Sequence, residues 1–281
     1  NLRRLDLMAK IDKSLYSKEE IKAMKAAKRE RKAAKLLQNS VKTFPASKDK
    51  NILVLKHGQK YSYDYVNKMY NMVKANLSYD FNFYCITEDA TGLYPEINII
   101  PLPTVAVNGW WYKPYIFSKD LPIKGTILYL DLDLVITNTL DRLFEFYPGE
   151  YCIIRDFTRA MRPTWEKYNS SVVRFEKGQL DNVWEKFRRE HTVIMRKFYG
   201  DKDYLWEATQ GKAKVYPDSW VRSWKWEVRK DKRFKPGQPR GQRELIDIEH
   251  VKAPDDCCIV AFHGDPNPHN CYDPYIVEKW I

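Results

Sequence analysis

Three features of the sequence predict an α/β fold. From Asn51 onward, short apolar runs alternate with segments whose apolar residues recur at helical spacing. The 281 residues are 44% hydrophobic with ordinary Gly and Pro content, enough for a sizeable core, which sets aside disordered, collagen-like and fibrous classes. The net charge of +11 sits mainly in an extension: residues 1–42 hold 13 Lys and Arg against 5 Asp and Glu, the remainder 35 against 32. The body therefore has little long-range field. Its function is expected in a local site rather than on a basic surface, which argues against nucleic acid as the partner.

Residues 1–48 read as a basic helical extension and linker, and residues 49–281 as the functional domain. Ser17-Lys-Glu-Glu20 has the spacing of a capping box, and Lys18 to Gln38 is rich in helix formers. Its apolar stripe is thin and mostly alanine, so the expectation is a solvated helix; a weak contact with an anionic surface is the sharper alternative. Phe44 to Lys50 reads as the linker. Ile52 to Lys56 is a buried-strand pattern followed by a loop through Gly58. Val66, Met69, Tyr70, Val73 and Leu77 place one face of a helix over Tyr63 to Leu77 against a sheet. Further strands are expected at Phe81–Thr87, Ile97–Leu102, Thr126–Asp131, Tyr151–Arg155 and Ser171–Phe175, with a helix at Leu180–Arg189 and a last strand at Ile259–Phe262 closing the sheet. Arg229 to Arg243 reads as a basic surface loop.

Five cysteines, with no Cys-x-x-Cys pair, suggest neither a disulfide framework nor a zinc site. No apolar run approaches the ~20 residues that span a bilayer, and the start has no signal-peptide pattern. A cytoplasmic, soluble protein is the expectation.

The chemistry centres on Ile127-Leu-Tyr-Leu-Asp-Leu-Asp-Leu-Val135. A buried-strand run leads directly into Asp131 and Asp133, and residues i and i+2 of a strand point to one side, so both carboxylates can converge. Two such anions need a counter-charge, and their oxygens suit a hard divalent ion, Mn²⁺ or Mg²⁺, able to bridge phosphates. The same residues, Asp131-Leu-Asp-Leu-Val135, match the nucleophile loop of haloacid-dehalogenase-type phosphatases, in which Asp131 would be phosphorylated. That motif usually ends the first strand of its domain, whereas here three strands and a helix are expected before it.

Other segments separate these readings: Gly109-Trp-Trp-Tyr-Lys113, Tyr168-Asn-Ser-Ser171, Gly200-Asp-Lys-Asp-Tyr204, Ser223-Trp-Lys225 and Phe262-His-Gly-Asp-Pro-Asn-Pro268. In order and spacing they resemble the GT-A glycosyltransferases related to glycogenin and the lipopolysaccharide galactosyltransferases, and most closely a bacterial and phage group of that superfamily. The resemblance covers about residues 51–270. It implies a Rossmann-like mixed sheet flanked by helices, and transfer of a sugar from a nucleotide-sugar donor, a UDP-sugar, to a glycan or other hydroxyl acceptor.

It also implies roles for residues. Asp131 and Asp133 would hold Mn²⁺ or Mg²⁺ with the donor diphosphate, and His263 would be the third ligand. Lys113 would lie on the donor side with Trp111 nearby, and Lys56, Gly58 and Tyr61 would face the nucleotide base. Asn169 and Ser170 would line the sugar pocket, Gly264 would belong to the late phosphate loop, and Asp201 would match the acid of a Gly-Asp-Gln motif. Two positions depart from the pattern: Lys202 stands where Gln is usual, and Asn267 where a lysine is expected. The resemblance leans toward retention of configuration, while Asp201 or Asp203 would serve equally as the base of an inverting reaction. A non-catalytic basic protein that binds nucleic acid through residues 1–42 is the remaining alternative.

Overall fold

A computed structural model describes residues 17–21, 23–27, 44–229 and 253–281. The chain divides into two units, residues 1–40 and 41–281. In the first, residues 18–21 and 23–27 are helical. The capping box forms as spaced: the Ser17 hydroxyl accepts from Glu20 N at 3.2 Å, and Glu20 Oε2 accepts from Ser17 N at 2.8 Å. The expected continuation to Gln38, and the basic stretch from 230 to Arg243, lie outside the described residues.

The second unit is built on a seven-stranded sheet of order β3-β2-β1-β4-β7-β6-β8. Its strands are β1 (Lys50–Leu55), β2 (Phe81–Ile86), β3 (Ile97–Ile100), β4 (Thr126–Leu130), β6 (Cys152–Arg155), β7 (Tyr168–Glu176) and β8 (Lys214–Val215). β1 pairs in parallel with both β2 and β4, and β7 runs antiparallel between β4 and β6. Central strands read as continuous apolar runs because both faces are covered. Ile52, Val54, Leu128 and Leu130 pack under helix α1 (Tyr63–Asn76). Leu53, Leu55, Ile127 and Tyr129 pack under a 3₁₀ segment (Gly109–Phe117) and helices α3 (Asp181–Lys197) and α4 (Asp201–Thr209). A short α2 (Asp141–Glu145) precedes β6, and α5 (Pro274–Lys279) is the last described helix.

The last expected strand does not close this sheet. Residues Ile259–Ala261 form β10 at the centre of a separate three-stranded sheet, antiparallel to β5 (Leu134–Ile136) and parallel to β9 (Val221–Ser223). A strand of three residues reaches one neighbour on each side and no further. Helix α4 begins at Asp201, which brings Asp201 and Asp203 into its first turn, where acidic side chains meet the positive end of the helix dipole. No described helix is long and apolar enough to cross a membrane.

Candidate active site

The order β3-β2-β1-β4 means that the chain leaves β1 to one side for β2 and returns on the other side as β4. A crevice opens at the carboxyl ends of strands wherever the order reverses in this way. Lys56 follows β1 and Asp131 follows β4, so both stand at this switch point. Between β4 and β5 the chain passes from the large sheet to the small one, and Asp131 and Asp133 occupy the crossing.

The neighbours of these aspartates form one connected set. Lys113 Nζ donates to Asp131 Oδ2 at 2.7 Å and to Ser170 Oγ at 3.2 Å. Ser170 Oγ in turn donates to Asp201 Oδ2 at 2.5 Å. The hydroxyls of Tyr129 and Tyr61 donate to Asp131 Oδ1 and Asp133 Oδ2, each at 2.8 Å. Ser170 reaches the set because of a bulge in β7: Asn169 pairs with Ile154 but Val173 with the adjacent Ile153, so the intervening residues bow out of register. Within the bulge, Ser171 O accepts from Asp131 N and Asn169 Oδ1 accepts from Ser171 N, both at 2.9 Å.

Charge in this set is unbalanced. Three carboxylates face one ammonium, that of Lys113, which Asp131 and Asp201 hold above the usual lysine range although burial alone would lower it. Burial, with Asp131 beside it, pushes the Asp133 carboxyl up to about 6. Burial likewise raises Asp201, against the opposing effect of Lys113. An anionic, oxygen-rich cluster of this kind fits a hard divalent cation.

Beside it, the loop after β1 and the end of β2 enclose a cleft of about 270 Å³ lined by Lys56, Gly58, Tyr61, Glu88, Asp89 and Thr91. Glu88 Oε1 accepts from Gly58 N, which fixes the loop.

No protein-family model matches the sequence, and no curated protein matches it. Solved structures do match. The galactosyltransferase LgtC, in complex with donor and acceptor sugar analogues, superposes with a TM-score of 0.53 at 12% identity, over 82% of this chain and 95% of that one. The bifunctional glycosyltransferase WbbM gives 0.55 at 11% identity, over 86% of this chain and 51% of that one. The glycosyltransferase GlyE of Streptococcus pneumoniae TIGR4 gives 0.53 at 15%, over 83% and 62%. The fold is the GT-A fold.

Within this GT-A framework the residues singled out from the sequence separate into two groups. Asp131, Asp133, Lys113, Ser170, Asp201 and Tyr61 are brought together, and Lys56 and Gly58 line the adjoining cleft. The rest are occupied elsewhere. Asp203 faces Lys167 at 3.5 Å, and the Asn169 side chain is engaged by the bulge. Trp111 is a core residue, stacked on Phe187 at 5.8 Å. Its neighbour Trp110 is half exposed and stacks with Tyr199 instead.

Asp131, Asp133 and His263 do not assemble into a three-ligand centre. Among the described residues no group of three or more His, Cys, Asp and Glu side chains is placed to hold a metal ion. The His263 ring stacks on Phe157 at 5.4 Å and its Nε2 is hydrogen-bonded to Ser223 Oγ at 2.6 Å. Its backbone is nevertheless close to the pair, since Phe262 N donates to Asp133 O at 2.9 Å.

The sequence reading missed Tyr129 and Asp156. Tyr129 was legible only as part of an apolar run. Asp156 follows β6, accepts from Thr158 N at 2.9 Å, and receives the Lys202 ammonium at 2.6 Å. Lys202, the departure noted above, therefore has a definite partner at the rim of the site.

Proposed function

We propose that this protein is a metal-dependent glycosyltransferase that moves a sugar from a nucleoside-diphosphate sugar, a UDP-sugar, to a hydroxyl of a glycan or other acceptor. The observation that carries this reading is the surplus of carboxylate at the switch point: Asp131, Asp133 and Asp201 against Lys113, beside an open cleft. A Mn²⁺ or Mg²⁺ ion held by Asp131 and Asp133 would neutralise the charge that develops on the departing diphosphate.

The chain's own groups divide the remaining work. Lys113 adds a cation beside Asp131, and Tyr61 and Tyr129 fix the orientation of the two carboxylates through their hydroxyls. Asp201, already accepting from Ser170, offers its second oxygen to the hydroxyls of the transferred sugar. In the cleft, the Lys56 cation and the Glu88 and Asp89 carboxylates suit a base such as uracil, which presents carbonyl and N–H groups side by side. Gly264 and His263 border the same end of the small sheet as Asp133.

A thermal-shift series with nucleotide sugars, with and without Mn²⁺, tests the reading. At a hundredfold excess over Kd, a UDP-sugar with Mn²⁺ should raise Tm by roughly 5–10 °C. Asp131→Ala and Asp133→Ala should abolish the rise. Absence of stabilisation by every donor in the presence of metal would overturn the proposal.

A further inference from the structure

Two segments far apart in the sequence meet on one side of α1. Tyr65 and Lys68 stand three residues apart in the first turns of this helix, a spacing that puts them on one face. Residues beyond β10 close over that face. The Tyr65 hydroxyl is hydrogen-bonded to His269 Nδ1, a pairing that spans 204 positions of the chain. His269 belongs to a 3₁₀ turn (Pro268–Asn270), fixed where Asn267 N donates to Asn270 Oδ1 at 2.6 Å. Farther on, Trp280 O accepts from Lys68 Nζ at 3.2 Å, and the ammonium lies over the Trp280 ring at 4.7 Å. The same ring meets Tyr65 edge-on at 5.2 Å. Tyr65 is thus held by both ends of the segment and is buried.

From Tyr65 the contacts lead to the carboxylate pair. Tyr61, one turn earlier, packs its ring on Tyr65 at 4.8 Å and donates its hydroxyl to Asp133 Oδ2 at 2.8 Å. Ser62, at the N-cap of α1, makes no side-chain cap to the helix, so the placement of Tyr61 rests on its ring contacts. Burial pushes the Tyr65 phenol up to about 12, and the charge of Asp133 adds to the rise, which places both groups in one environment. Contact therefore runs from Asp133 through Tyr61 and Tyr65 to His269.

We propose that His269 is a positioning residue for the metal site: it holds Tyr65, Tyr65 sets the Tyr61 ring, and Tyr61 aims the Asp133 carboxylate. The inference rests on the reading of Asp133 as a metal ligand. A carboxylate binds a metal well only when its own orientation is fixed, and hydrogen-bond partners outside the ligand set supply that. Here the last of those partners comes from the segment beyond β10, so that segment completes a site whose carboxylates lie far earlier in the chain.

Titration of the full chain with Mn²⁺ alone, read as loss of the free-ion signal in electron paramagnetic resonance, tests the relay. Tyr61→Phe should weaken Mn²⁺ binding about tenfold, the scale of one hydrogen bond to a ligand from outside the set. Tyr65→Phe, nearly isosteric, and His269→Ala should each weaken it about fivefold, less than the direct partner does. His269→Asn, which keeps a polar atom where Nδ1 stands, should recover most of the loss. In a Tyr61→Phe background, His269→Ala should have little further effect on Mn²⁺, because the route is already cut, whereas a general loosening of the fold would add in full. Wild-type Mn²⁺ affinity in both Tyr65→Phe and His269→Ala overturns the relay and leaves the metal reading standing, and full additivity with Tyr61→Phe does the same. A wild-type chain that takes up no Mn²⁺ removes both.

Discussion

Asp133 lies beside Asp131 with the Tyr61 hydroxyl donating to it, and burial and its neighbour push its carboxyl up to about 6. A carboxyl whose folded pKa is raised contributes most below its unfolded value near 3.8 and loses that contribution as pH rises through about 6. The metal-free protein should therefore lose stability across this window, and at neutral pH the ionised pair is a standing cost. Asp133→Asn should raise the Tm of the metal-free chain at neutral pH by a few degrees while removing any Mn²⁺-dependent shift. An unchanged or lower Tm in calorimetry would contradict the electrostatic account. At this scale the sequence was informative where spacing carries geometry. Asp131 and Asp133 were visible as an i, i+2 pair at the end of an apolar run. Asp156 was not, because it finds its neighbour far along the chain, at Lys202.

Between elements, the ion pair of Asp156 and Lys202 joins the end of β6 to the first turn of α4. Burial alone would raise the Asp156 carboxyl, but Lys202 and Thr158 outweigh it and hold the group below the usual range. A depressed folded pKa gives stability that is present above the unfolded value and lost as pH falls through the folded one. Asp156→Asn, which keeps an oxygen for the Thr158 turn, should cost about 1–2 kcal/mol at neutral pH and progressively less toward pH 3. Urea denaturation at both ends of that range measures the difference, and a cost independent of pH would rule out the ion pair as its source. Long elements were legible for a physical reason: α1 repeats its apolar face through Val66, Met69 and Val73, and β4 is buried on both faces. The two-residue β8, the three-residue β9 and the π-helical turn Trp224–Val228 were not, since so short a segment has no period and is defined by backbone partners.

In the molecule as a whole, the candidate site occupies the seam between two sheets, because the strand run from Thr126 to Ile136 belongs to the large sheet before Asp131 and to the small one after Asp133. A ligand held at the seam should stiffen the less extensive partner more. Hydrogen exchange at Val221–Ser223 and Ile259–Ala261 is expected to slow on addition of UDP and Mn²⁺ by a larger factor than exchange in β1 and β2. Equal changes in both sheets would mean that the seam does not transmit binding. The α/β class could be read from the alternation of segments, whereas the second sheet could not, since β5 pairs with a strand from the far end of the sequence. That pairing also orders events during synthesis. Ile136 meets Ile259 only after more than a hundred intervening residues have been made, and long loops close late. On the ribosome the aspartate pair would thus emerge well before β10 and the loop beyond it. Nascent chains that stop before Ile259 should have a half-built, anionic pocket, and competence to bind a donor should appear abruptly once Ile259–Ala261 have been made.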